Sequence, residues 1–100
     1  MCSQQTMPAA AAITLPARVD LTAVRDLGGD FLDHDGQNLR VDASAVQHLG
    51  GLGLQLLMAA AGQWRQRQLG FQVNPRSDNF DRALADFGVS LDMLENRGPA

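Results

Sequence analysis

The chain has 100 residues, a formal net charge of −3 at neutral pH and 45% hydrophobic residues. That is the length of one domain, with enough apolar content for one core, so disorder of the whole chain is excluded. All 8 basic residues are arginine and they are dispersed; nucleic-acid recognition needs clustered positive charge and is not expected.

Cys2 is the only cysteine, which rules out a disulfide within the chain. His34 and His48 have no companion at ligand spacing, so no metal centre is expected. A membrane span needs about 20 apolar residues. The longest apolar stretch, Leu49 to Ala61, is shorter and is interrupted by glycine and glutamine. Met1 to Ala12 has no basic residue ahead of its alanines, which argues against a secretory leader. It is expected to be a flexible tail on a cytoplasmic protein, with one domain over residues 13–95 and a second tail over 96–100.

The first regular element expected is a strand at Ile13-Thr14-Leu15, where apolar and polar residues alternate. Pro16 interrupts it, and Ala17-Arg18-Val19 resumes pairing. Leu21, Val24, Leu27, Phe31 and Leu32 recur at helical spacing, with Asp20 or Thr22 as cap and Gly36 as stop. Gly28-Gly29 inside this helix costs roughly 1 kcal/mol per residue relative to alanine, which close packing against a neighbour would explain. Asn38 to Ala43 reads as a strand, followed by a connection from Ser44 to Leu49. Gly50-Gly51-Leu52-Gly53 then opens a long helix to about Gln68, with Leu52, Leu56, Leu57, Ala60, Ala61 and Trp64 as its apolar residues. Phe71-Gln72-Val73 is a short strand ended by Pro75. Ser77 caps a helix from Asp78 to Phe87, with Phe80, Leu84 and Phe87 as the buried stripe and Gly88 as the stop. Leu91, Met93 and Leu94 form a last docked segment and a possible self-association patch. Alternating strands and helices place the chain in the α/β class with an at least partly parallel sheet.

The stretch from Val41 to Leu57 carries the functional information. A strand ends in Val41-Asp42-Ala43-Ser44, and a glycine-rich turn containing Gly53-Leu54 opens a helix. Further on come Asn74-Pro75-Arg76-Ser77, then Phe80 and Leu84, and Phe87-Gly88-Val89. In this order and spacing the chain resembles the STAS-domain family, single-domain anti-sigma factor antagonists in particular, over roughly Ile13 to Leu94. The resemblance implies a mixed β-sheet of about four strands flanked by three to four helices, with no cofactor and no catalysis. It also implies a partner-binding face at the loop and helix start: Ser44, Gln47, His48, Gly50, Gly51, Leu52, Gly53 and Gln55.

In antagonists of this family a kinase phosphorylates a hydroxyl at the helix start, within a turn such as Asp-Ser-Ser-Gly-Leu. A phosphate there adds nearly two negative charges beside free amide groups. Here Gly50, Gly51 and Leu52 stand where that turn has Asp, Ser and Ser. No phosphorylation is therefore expected at the usual position, Leu52. The nearest hydroxyl is Ser44, expected first to bond within its loop. Leu52 is either a constitutive apolar contact or a core residue, and Trp64 packs in or beside the core. Asp42 is expected to organise the loop by accepting hydrogen bonds, ahead of any partner contact. No G-K-[ST] follows the glycines, no triad or paired-carboxylate motif is present, and enzymatic activity is not expected. The implied partner is a protein of a bacterial signalling or chemotaxis system, such as a sensor kinase or regulator. The alternative is the ATPase of an ABC-type lipid transport system, whose small STAS subunit usually carries threonine in the turn. Neither nucleic acid nor membrane insertion is expected; a homodimer is compatible with the sequence.

Overall fold

The computed structural model describes residues 11–34 and 36–96. Most of both expected tails, and Cys2, lie outside them. The elements run β1 (Ala11–Thr14), β2 (Arg18–Val19), α1 (Leu21–Asp33), β3 (Leu39–Ala43), β4 (His48–Leu49), α2 (Gly51–Gln66), β5 (Phe71–Arg76) and α3 (Asp78–Phe87), then a 3-10 turn at Leu91–Met93. The class is α/β. The strands form a three-stranded sheet of order β1-β3-β5 and a two-stranded sheet of β2 and β4, every pair parallel. Among the described residues, antiparallel pairing is confined to a single bridge between Phe71 and Asn96. One sheet of about four strands is thus divided in two. Pro16 lies between β1 and β2, and β2 pairs with β4, which follows the connection after β3, instead of continuing β1's ladder.

The strand register sets the core. Ile13, Val41 and Val73 stand side by side, as do Leu39 and Phe71, and all five are buried. Alternate positions point to the opposite face of the sheet, where Ala12, Thr14, Gln72 and Asn74 are exposed. One face of the sheet is therefore dry and the other polar. α2 buries Gly53, Leu54, Leu57, Ala60, Ala61 and Trp64. The indole of Trp64 meets Phe31 and Phe71 edge-on, at 6.2 and 5.7 Å between ring centroids. Its Nε1–H donates to the Gln37 carbonyl at 2.7 Å. A buried tryptophan keeps its polar edge satisfied in this way.

Some boundaries and contacts differ from the sequence expectation. β1 begins at Ala11, two residues upstream of Ile13, and Asn96 is engaged with Phe71 rather than starting a free tail. β5 continues through Pro75 to Arg76, because the ladder shifts register between Val41 and Ala43 and Pro75 need donate nothing there. Phe87 and Met93 are exposed, whereas Leu94 is fully buried, which removes Leu94 from any self-association patch.

The Gly28-Gly29 pair is also a correction. α1 is unbroken across it, and a Cβ added at either position meets nothing within 4 Å. Close packing among the described residues does not require these glycines. Gly28→Ala and Gly29→Ala are each expected to stabilise the protein by about 0.5–1 kcal/mol, by restricting the unfolded chain and favouring helix. Urea midpoints that fall instead of rising would contradict this.

Candidate functional site

The candidate face is built on the backbone between β3 and α2. Asp42 and Ser44 make its first turn. The Ser44 hydroxyl and amide both donate to Asp42 Oδ1, at 2.6 and 2.9 Å. These two bonds, the hydroxyl's first, hold the Asp42 carboxyl below its ordinary value of 3.8, and the Arg40 charge adds to them. Within this short turn Asp42 is the acceptor and Ser44 the donor.

The rest of the loop is pinned to the two ends of β2. The amides of Gln47 and His48 both donate to the Ala17 carbonyl, at 2.7 and 3.0 Å, and the Gly50 amide donates to that of Val19 at 3.0 Å. Val46 is fully buried beneath it. This fixed backbone turns Ser44, Ala45, Gln47 and His48 outward, all exposed, and α2 adds exposed Gly51, Leu52 and Gln55. Gly50 is half-buried and Gly53 is buried. Seven of the eight expected face residues therefore reach the surface at least in part; Gly53 does not.

Gly53 has a structural role instead. A Cβ there would stand 2.5 Å from Val19 Cγ1 and 2.8 Å from the Val19 carbonyl oxygen. The first turn of α2 rests directly on β2, and only glycine permits that approach. This contact turns the helix so that positions 53, 54 and 57 face inward. Leu52 is left 49% exposed at the helix start, so of the two readings for this residue the core is eliminated. No side chain caps α2: its N-cap is Gly50, where a hydroxyl or carboxylate would ordinarily accept from the first turn.

α3 adds a wall that the sequence reading missed. A groove of about 300 Å³ separates β4 from α3, with Gln47 and His48 on one side and Asn79, Arg82, Asp86 and Phe87 on the other. Phe87 is 47% exposed there. Its helical spacing from Phe80 and Leu84 looked like a core position, and no sequence signal marks it as the end of the stripe. Ser77 holds this wall in place: its amide donates to Ala43, its hydroxyl donates to the Val46 carbonyl at 2.5 Å and accepts from the Phe80 amide at 3.0 Å.

No group of three or more potential metal ligands occurs among the described residues. None of the described helices is long and apolar enough to cross a membrane.

A family model described as "Mlab, STAS domain" matches residues 2–95. The chain belongs to the STAS-domain family. No curated protein and no solved structure gave a match. STAS domains are in general non-catalytic modules that mediate protein–protein interaction. No hydroxyl occurs from His48 to Leu52 around the N-cap of α2, and Leu52 stands exposed at the helix start.

Ser44→Ala tests the turn. It is expected to raise the Asp42 carboxyl part of the way toward 3.8, since the amide bond from residue 44 remains. A carboxylate whose folded value is lowered stabilises the fold above its unfolded value and loses that contribution as pH falls through the folded one. The variant should therefore lose stability relative to the parent at neutral pH and converge with it at strongly acidic pH. A carboxyl-detected NMR titration gives the shift directly; an unchanged Asp42 would refute the assignment.

Proposed function

We propose that this STAS domain is a non-catalytic interaction module of bacterial signal transduction, anti-sigma antagonist-like or associated with a chemotaxis or sensor-kinase system. It binds its protein partner through the loop and helix start from Ser44 to Gln55 and is not phosphorylated at the usual position. The observation that carries the reading is Leu52, a half-exposed leucine on a rigidly backed helix start where relatives place a polar switch. An apolar side chain held at the surface favours a contact that stays on, because burying it against a partner removes it from water. The exposed Gln47, His48 and Gln55 surround it with neutral polar groups, a composition suited to the rim of a protein contact.

Affinity capture from the native cell followed by mass spectrometry would identify the partner. Gln47→Glu combined with Gln55→Glu should then weaken binding at least tenfold without changing the urea midpoint, because both positions are exposed and the new charges would be desolvated in the complex. Unchanged affinity would exclude this face. The mass of the protein after incubation with a co-purifying kinase tests the second part of the proposal; phosphate on Ser44 would mean that the switch had moved and not disappeared.

A second reading makes the domain a permanent subunit on the ATPase of an ABC-type lipid transport system. The absence of any hydroxyl at residues 50–53 counts against it, since that subunit usually carries threonine in the turn. Co-purification of such an ATPase instead of a kinase would select it.

A further inference from the structure

β5 stands at one end of the strand order β1-β3-β5. A strand in that position ordinarily offers a row of backbone donors and acceptors to a further strand. Backbone groups alternate along a strand, so in β5 the outward ones belong to Phe71 and Val73, and all four are occupied. The Phe71 amide donates to the Asn96 carbonyl at 2.6 Å, and the Asn96 amide donates back to the Phe71 carbonyl at 2.8 Å. At Val73 side chains stand in for a strand. The amide donates to Glu95 Oε2 at 3.0 Å, and the carbonyl accepts from the Arg76 guanidinium at 2.8 Å. Each of these two bonds has a charged partner, which makes it stronger than a bond between neutral groups. Farther along, Pro75 has no N–H to offer.

The groups that close the edge are themselves held from several sides. Leu94 is fully buried and roots the segment before Glu95 in the core. Asn96 Nδ2 donates to the Leu69 carbonyl at 2.6 Å. The Arg65 guanidinium, from the last turn of α2, donates to the Glu95 and Asp92 carbonyls at 3.3 and 3.5 Å. Arg76 Nε is fixed by the Asp81 carboxylate of α3, 2.8 Å away.

We propose that Arg76, Glu95 and Asn96 form a latch over the outer edge of β5 that stops the domain from pairing edge to edge with a second copy of itself. The second copy follows from the four groups that the latch covers. Phe71 of one chain and Val73 of another, run antiparallel, exchange two hydrogen bonds, and a two-fold axis through the facing Gln72 residues repeats the exchange. Freed of its latch, β5 is complementary to itself. This edge lies apart from the loop and helix start from Ser44 to Gln55, and failure of the latch would leave that face untouched.

The test uses the full chain and sedimentation equilibrium. R76A/E95A/N96P removes both charged partners of Val73 and the amide that donates to Phe71, and it should reach twice the parent's mass at the same concentration. Gln72→Lys added to that variant sets like charges opposite each other on the axis and should return the mass to the parent's. R25A/D26A removes the same two kinds of charge from exposed positions on α1 and should leave the mass unchanged. Should the triple variant not fold, R76A/E95A takes its place: the Val73 amide should exchange at least tenfold faster than in the parent, and the mean mass should rise with concentration. A fall in Tm with the parent's mass at every concentration would make these residues props of the fold alone and overturn the proposal. So would unchanged Val73 exchange, a doubled mass in R25A/D26A, or a dimer that survives Gln72→Lys and therefore uses another surface.

Discussion

Gly53→Ala is expected to destabilise the protein by about 3 kcal/mol, the upper part of the range for overpacking a filled site. The added methyl meets Val19 Cγ1 at 2.5 Å and the Val19 carbonyl oxygen at 2.8 Å. Neither is a flexible end: Val19 is fully buried and its carbonyl accepts from the Gly50 amide. Relief requires α2 to lift from β2. Val19→Ala in the same chain should recover only part of the loss, because it removes the methyl contact and leaves the carbonyl. Gly51→Ala is the control, since a Cβ there has open space, and it should be neutral or mildly stabilising. For a domain of this length each kcal/mol lowers Tm by roughly 4–8 °C. The protein's one tryptophan reports the transition by fluorescence. A Gly53→Ala chain that melts with the parent would refute the close approach on which the placement of the helix start depends.

The second large effect is at Trp64. Its side chain is 2% exposed and sits against Phe31 and Phe71, which joins α1, α2 and β5. Trp64→Ala should cost about 3–5 kcal/mol, the range for emptying an aromatic site. Natural domains have only about 5–15 kcal/mol of stability, so circular dichroism should show a large fall in Tm. Trp64→Phe keeps a ring but loses the N–H that reaches Gln37, at 2.7 Å in the parent. It should cost distinctly less than the alanine variant. Equal losses in the two variants would mean that the hydrogen bond, and not the packing, dominates.

Much of the domain could be read from residues that act locally. Ser77 and Gly88 bracket α3 as expected: the Ser77 side chain accepts from the Phe80 amide, and Gly88 takes φ of 73°. A cap oxygen and a left-handed residue need only their own few neighbours, so sequence reveals them. Asp20 caps α1 for the same reason. β2 and β4 were harder, because two residues each are too few to show a period of two. Their pairing is fixed by distant carbonyls at Ala17 and Val19. Of the apolar residues of α2, Leu57, Ala60, Ala61 and Trp64 are buried, whereas Leu56 is half-buried and Leu52 exposed. Hydrophobic spacing gives no weight to glycine, yet Gly53 is the residue that touches β2 and sets the helix rotation.

The site was legible in part. Asp42 and Ser44 are two residues apart and bond each other, a relation any short polar turn suggests. The contribution of α3 was not legible. Phe87 follows Phe80 and Leu84 at helical spacing, but α3's last turn borders the groove beside β4, and Phe87 is left at its rim. Whether the end of a helix overhangs its sheet depends on where the sheet stops, which spacing along one helix does not encode.

The bonds from Ser77 to Ala43, Val46 and Phe80 bear on the tempo of recognition. With the Asp42–Ser44 turn at one end and this serine gripping the middle, the loop proposed to bind is already held in one shape. Little ordering remains to be done on contact. A partner landing on it should associate at a rate linear in its concentration, with no slow first-order phase, and differences between partners should be expressed mainly in how long they stay.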